Sequence, residues 1–502
     1  MTATPHRPHD GVFDVAVIGG GIVGAAIARE LSGHDVSVAL LEARDDVGDG
    51  TSKANTAILH TGFDAKPGTL ESRLVARGYH LLSAYAEETG IPVEHTGAVL
   101  VAWNDEELAA LPALKEKAEA NGYAHCRIVG ADEVYGVLPH LGEGALGGLT
   151  VPDESIICTW TTNLALATDA QRRGTTVLLR HAVTGVDTGD GVGADTADGY
   201  GGGGDGVTTL HTSAGDVRAR WVVNAAGLGA DHLDRLFGHD RFTVTPRRGE
   251  LFVFDKLTRP LVDKIVLPVP TSRGKGVLIS PTIYGNVMLG PTAEDLTDRT
   301  DTGTSEDGFD FLLTKGERLM PRLLAEEVTA SYAGLRAAID HPDYLIEADP
   351  AQRYLLVGGI RSTGLTAGIA IAEHVRTLLE EAGLKLRPRG DVPEPPRMPN
   401  IGEAAPRPYE DAELIARDPA YGTVVCFCER VTEGEIRDAC HAPLPARTPE
   451  GLRRRTRAMN GRCQGFYCGA AVAALSARHH PDDGCGSRPA PCGRPAQHKD
   501  NR

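Results

Sequence analysis

Four cysteines near the end of the chain stand in a pattern that reads as metal ligation. Cys426 and Cys428 form a C-x-C pair, and after 34 intervening residues Cys463 and Cys468 form C-x4-C. Four thiolates suffice for one iron–sulfur cluster or for one tetrahedral zinc ion. Zinc has no redox chemistry to relay electrons, so the two metals imply different roles. The other end of the chain carries Gly19-x-Gly21-x-x-Gly24, set directly after the apolar run Phe13 to Ile18 and before AAIARELS. Glycine at the first position allows a tight turn, at the second lets backbone approach a pyrophosphate, and at the third lets helix pack on strand. The pyrophosphate would then meet a helix N-terminus. Glu42 closes a second apolar run, Val36 to Leu41, about twenty residues on, where a carboxylate can accept hydrogen bonds from a ribose. FAD and NAD share the adenosine half read by this motif, so the glycines alone do not choose between them.

The elements that must hold these groups are legible in outline. Trp221 to Val223 leads into NAAGLGAD, and Tyr354 to Val357 leads into a glycine turn opening a helix. Both read as strand-to-loop junctions of the parallel sheet begun at Phe13. Gly185 to Gly215, with GYGGGGDG, has too little apolar surface to pack and reads as a surface loop or hairpin tip. Arg387 to Tyr409 is proline-rich and suits an extended linker. Thr432 and Glu435 have capping-box spacing, which starts a helix after the first cysteine pair, and Cys468 stands at the start of the apolar helix GAAVAALSAR. The resulting division is a large domain over 1–385, a linker over 386–421, a small unit over 422–478 and a disordered tail over 479–502.

Composition narrows the function. The 502 residues carry a formal net charge of -17, which argues against a nucleic-acid surface and requires any anionic ligand to be met by locally placed arginines. The start of the chain lacks the apolar core of a secretory signal, and no stretch reaches the roughly 20 apolar residues of a membrane span. The expected location is cytosolic, with peripheral membrane association compatible. Nine cysteines do not suggest a disulfide framework, and Cys126, Cys158, Cys440, Cys485 and Cys492 are expected as free thiols. Arg453, Arg454, Arg455 and Arg457 read as a solvated helix face, the other reading being a positive patch beside an anionic cluster or acidic partner.

From Asp14 to about His374 the chain resembles the D-amino-acid-oxidase-type superfamily of FAD enzymes. The segments GTSKANTAILHTGFDAKPGTL, VVNAAGLGAD, YAGLRAAIDHPDYLI and GGIRSTGLTAGIAIAEHV carry the likeness. The resemblance implies an α/β fold, with a Rossmann-like FAD-binding domain and an inserted, mostly antiparallel substrate domain. It implies that His60 lies beside the isoalloxazine ring, as general base, as a group that only orients backbone or flavin, or as an attachment point. It implies that Arg336 grips an anionic group of the substrate, although Ala337 stands where relatives often have proline. Arg361 and Arg248 are second-rank substrate ligands, a structural salt bridge being the alternative for each. Thr51, Ser52, Asn55, Ala226, Gly227, Gly364, Leu365 and Thr366 are implied flavin contacts. From Thr423 to Arg478, CFCERVTEGEIRDA and GRCQGFYCG resemble the bacterioferritin-associated-ferredoxin-type [2Fe–2S] module.

Joined, the two likenesses resemble the large subunit of the anaerobic-type glycerol-3-phosphate dehydrogenases. Oxidation of a small anionic hydroxy substrate is therefore expected, with electrons passing from FAD through the cluster to an acceptor protein or quinone-linked partner subunit. An L-2-hydroxyacid dehydrogenase, an amine or imino-acid dehydrogenase, and a non-catalytic electron-transfer or assembly subunit remain the alternatives.

Overall fold

A computed structural model of the chain describes residues 8, 10–189, 206–270, 276–403 and 405–479. The glycine-rich run 190–205 and the tail from 480, with Cys485 and Cys492, lie outside the described residues. Two compact units are present, residues 1–407 and 408–502.

In the first unit the strand Val12–Ile18 is buried between two parallel neighbours, Val38–Glu42 and Gly215–Asn224. Thr176–Leu179 extends the parallel run beyond Val38–Glu42, and Tyr354–Gly358 pairs parallel with the end of Gly215–Asn224. The strands are apolar on both faces because helices cover them, as a parallel sheet requires. Helix Ile22–Leu31 is rich in alanine and nearly enveloped, packing against Thr159–Arg172 and Gly364–Glu381. Leu70–Thr89 packs on Gly364–Glu381 at Gly78, where a Cβ would stand 2.3 Å from the Thr366 carbonyl oxygen. Val183–Asp187 and Thr208–Thr212, on either side of the run 190–205, pair antiparallel.

A second sheet of nine strands carries its own core. It is antiparallel throughout except where Ile265–Pro268 runs parallel to Ala98–Ala102. Its longest pairing joins Val244–Phe254 to Val328–Ile339, with Arg247 opposite Arg336 and Gly249 opposite Gly334. The mixed architecture matches the expected fold class.

The proline-rich segment differs from expectation. It is laid along the first unit, with Asp35 N donating to Arg387 O at 2.8 Å, Arg389 N to Gly33 O at 2.9 Å, Met398 N to Thr89 O at 2.7 Å and Glu403 N to Ile283 O at 2.9 Å. Ile401 and Arg407 are buried. Prolines cannot donate to a ladder, which is why the segment reads as a linker, but the residues between them supply enough backbone donors and acceptors to anchor it. The unit boundary therefore falls at 407/408, not inside a free linker over 386–421.

The second unit contains the helix Ala412–Arg417, a short hairpin of Val424–Cys426 and Val431–Thr432, and the helices Glu433–His441, Pro449–Thr456 and Gly469–His479. The expected capping box is present: Thr432 Oγ1 accepts from Glu435 N while the Glu435 carboxylate accepts from Thr432 N at 2.8 Å. Arg454, Arg455 and Arg457 are buried, which corrects the reading of a solvated face. Arg455 donates to the carbonyls of Leu444 and Gly451, and Arg457 pairs with buried Glu429 at 2.8 Å. In so small a unit the core is short of apolar side chains, and the aliphatic stems of the arginines help to close it.

Candidate active site and thiol cluster

A cleft of about 480 Å³ opens in the first unit and takes lining residues from both sheets. At its nucleotide end the glycines do what their spacing predicts. Gly19 adopts φ +109°, and a Cβ there would stand 2.4 Å from Ala225 O; one at Gly24 would stand 1.9 Å from Gly19 O. Only hydrogen fits at either place. Gly21 faces the cleft, and the helix behind it has no side-chain cap at its N-cap residue, Gly21, so an anion has a helix terminus to approach. Glu42 also lines the cleft, its Oε2 accepting from Gly20 N at 2.7 Å and its Oε1 from Arg44 N at 2.9 Å. Burial pushes the Glu42 carboxyl above its ordinary range, against the pull of those two backbone donors.

The loop after Gly50 folds over this end. Ser52 Oγ accepts from Ile22 N at 2.9 Å, which places a hydroxyl at the start of the helix. Thr51 Oγ1 donates to Leu335 O, and Asn55 donates to Ser52 O and Thr159 Oγ1 while accepting from Ala57 N. Thr51 and Asn55 thus line the cleft but use these polar groups to shape the loop. Ala226, Gly227, Gly364 and Leu365 line it as expected. Thr366 is fully buried instead; its Oγ1 accepts from His60 N at 3.0 Å and so fixes the backbone of His60 from behind.

At the reacting end the structure brings His60, Arg336 and Arg361 to one cleft. His60 Nδ1 lies 3.1 Å from Oε2 of Glu154, a carboxylate with no solvent exposure. Glu154 was not singled out in the sequence. Its one signal is an acid directly ahead of the apolar strand Ser155–Ile157, in VPDESII. Arg336 donates Nη2 to Thr292 O at 2.7 Å, and among the described residues no carboxylate reaches it within ion-pair distance. Burial, and then the charge of Arg247, lower its pKa, while Asp295 opposes them. Arg361 is held by Glu71 at 3.0 Å and by Pro342 O. A further arginine of the cleft lining, Arg299, is engaged by Asp231.

Arg248 is not at the cleft. Successive residues of a strand point to opposite faces, so the register that puts Arg247 and Gly249 on the face of Arg336 turns Arg248 away. There it pairs with Glu250 at 3.1 Å, Glu294 at 2.5 Å and Asp301 at 3.3 Å, and it is the structural salt bridge, not the ligand, that the geometry supports.

In the second unit the four cysteines of the motif lie within electrostatic reach of one another, Cys428 beside Cys463 and Cys426, and Cys468 beside Cys426 and Cys463. They are not closed into a group of three or more metal-ligating side chains. Four neighbouring thiols suit a two-iron cluster, which takes two thiolates on each iron. The backbone N–H of Tyr467, with those of Gly465 and Phe466, converges on the Cys463 sulfur and holds its pKa down. Burial and the neighbouring Cys426 push Cys468 up to about 12. Cys126, Cys158 and Cys440 form no disulfide. No helix among the described residues is long and apolar enough to cross a membrane.

Comparison with known proteins follows the same division. Residues 14–378 match the family of FAD dependent oxidoreductases, and residues 424–478 match the BFD-like [2Fe-2S] binding domain. The chain is 35% identical over 469 residues, 93% of its length and 94% of the relative's, to a glycerol 3-phosphate dehydrogenase of Caloramator mitchellensis. It is 26% identical to the mitochondrial L-2-hydroxyglutarate dehydrogenase of Homo sapiens, over 72% of this chain and 87% of that one. The FAD-bound L-alpha-glycerophosphate oxidase of Mycoplasma pneumoniae superposes with a TM-score of 0.70 at 28% identity, covering 78% of this chain and all of that one. Glycine cradle, helix terminus and acid fit the dinucleotide, the neighbouring thiols fit the cluster, and the chain belongs to the FAD-dependent oxidoreductase family, with a BFD-like [2Fe–2S] binding domain at its C-terminal end.

Proposed function

We propose that the protein oxidises sn-glycerol 3-phosphate to dihydroxyacetone phosphate and delivers the electrons through its [2Fe–2S] cluster to an acceptor protein or quinone-linked partner. The observation that carries the substrate class is Arg336. A guanidinium withdrawn from solvent, with no carboxylate within ion-pair distance among the described residues, is costly unless an anion completes it, and its planar fork suits a phosphate or carboxylate. The likeness to a glycerol 3-phosphate dehydrogenase over 93% of the chain supports phosphate.

Bound FAD supplies the two-electron acceptor for the hydrogen on the carbinol carbon, held by the Gly19 turn, Glu42 and the Ser52 loop. The chain's own residues bind and orient the substrate through Arg336 and take the hydroxyl proton on the His60 imidazole. Arg361, tied to Glu71, adds positive charge to the cleft wall. An L-2-hydroxyacid is the second reading, because Arg336 accepts a carboxylate equally well and the human L-2-hydroxyglutarate dehydrogenase is a relative. The two are separated by adding each substrate anaerobically and following flavin absorbance and the EPR signal of a reduced cluster. Bleaching and an EPR signal with glycerol 3-phosphate alone are expected. Bleaching by L-2-hydroxyglutarate alone replaces the substrate, and bleaching without an iron signal removes the relay.

A further inference from the structure

We infer that Glu154 is the positioning residue that sets the tautomer of His60, an inference that rests on reading His60 as the proton acceptor. The Glu154 carboxylate sits between the strands Gly147–Val151 and Ser155–Ile157 with no exposed surface. Its two oxygens have different duties. Oε1 accepts from Thr61 N at 2.7 Å and from Thr61 Oγ1 at 2.9 Å, and Oε2 faces His60 Nδ1 at 3.1 Å. Among the described residues it has no lysine or arginine within ion-pair distance, so the imidazole is the cationic partner this buried carboxylate can gain.

A carboxylate only accepts hydrogen bonds, so Nδ1 carries the hydrogen and Nε2 keeps its lone pair. When the substrate O–H bond breaks, its proton bonds to Nε2, and the imidazolium formed is stabilised by the fixed negative charge behind it. The charge of the Glu154–His60 pair passes from -1 to zero as the proton arrives. Thr366, holding the His60 backbone N–H, and Thr61, holding Oε1, fix the two ends of the arrangement.

The geometry makes one substitution diagnostic. In Glu154→Gln the two donors of Thr61 require an oxygen opposite them, which turns the new amide nitrogen toward His60. That nitrogen donates, so Nδ1 must accept and the hydrogen moves to Nε2. Side-chain shape is kept and the lone pair on Nε2 is lost. The test uses the FAD-loaded full chain labelled with 15N-histidine, with His60→Gln supplying the assignment. In the wild type Nδ1 is expected to show the shift of a protonated nitrogen and Nε2 that of a bare one. In Glu154→Gln the two exchange, kcat/KM falls about a thousandfold, and flavin absorbance and melting temperature hold. A wild-type ring protonated at Nε2 overturns the inference without recourse to any variant. So does a Glu154→Gln protein with an unchanged tautomer or undiminished turnover. His60→Gln separates this from the reading beneath it: if that variant keeps its kcat, His60 is not the base, and the nitrogen shifts alone judge what Glu154 does.

Discussion

The guanidinium of Arg336 lies across Gly249 of the neighbouring strand, so close that a Cβ at 249 would stand 2.5 Å from Nη2. The strand pairing puts Gly249 diagonal to Arg336 on one face, and the missing side chain is what lets the arginine fold flat toward Thr292. Gly249→Ala pushes first on the far end of the flexible Arg336 side chain, with Pro291 Cβ at 3.0 Å and Thr292 O at 3.3 Å the next neighbours to give. Its expected effect is a KM for the anionic substrate raised about tenfold, or about 1.4 kcal/mol, with flavin content unchanged. Steady-state kinetics with a flavin titration checks both halves.

Gly24 differs because its neighbour is backbone. A methyl there would stand 1.9 Å from Gly19 O, and strand and helix must part to admit it. Gly24→Ala is expected to lose about 1–3 kcal/mol of stability and to purify largely without flavin. Flavin absorbance of the purified protein and its thermal melting give the answer.

The glycines, Glu42 and the four cysteines could be picked out because their chemistry depends on spacing within one short segment. Arg336 and His60 came from likeness to a family, since nothing local marks a lone arginine or histidine as a ligand. Glu154 escaped notice because its importance lies in a contact across 94 positions of sequence, and an acid in VPDES looks like any turn residue. Arg248 stayed open between ligand and salt bridge for want of a register, as one residue of offset turns a side chain to the other face of a sheet. The arginines from 454 to 457 were misjudged because charge predicts exposure only where a core has enough apolar atoms to close without them.

Asp231 gives the first unit a titratable tie. Burial alone would raise its carboxyl, but the hydrogen bonds and charge of Arg299, with the Val244 N–H, hold it down to about 2. A folded-state value below the ordinary ~3.9 means that the stabilisation is fully present above pH ~4 and disappears as the pH falls toward 2. Asp231→Asn should therefore melt lower at neutral pH, with the pH-dependent part of the gap, about 2 kcal/mol, closing below pH ~4. Melting curves of both proteins across that range test the sign as well as the size.

The cysteines separate by position. Cys428→Ser removes one thiol of the motif and is expected to abolish the EPR signal of the dithionite-reduced cluster while substrate still bleaches the flavin. Cys440→Ala, in the core of the same unit but outside the motif, is expected to keep the signal. Iron analysis and EPR on the two variants side by side distinguish a ligand from a packing thiol.

A single hydroxyl, that of Thr366, joins the helix Gly364–Glu381 to the loop that carries His60. A shift of that helix at Thr366 is therefore passed to the backbone of His60, and the two move together. The strands Val244–Phe254 and Val328–Ile339 bring Arg336 to the cleft from the other sheet, and through different contacts. The wall that carries Arg336 can therefore change without disturbing the contact between Thr366 and His60.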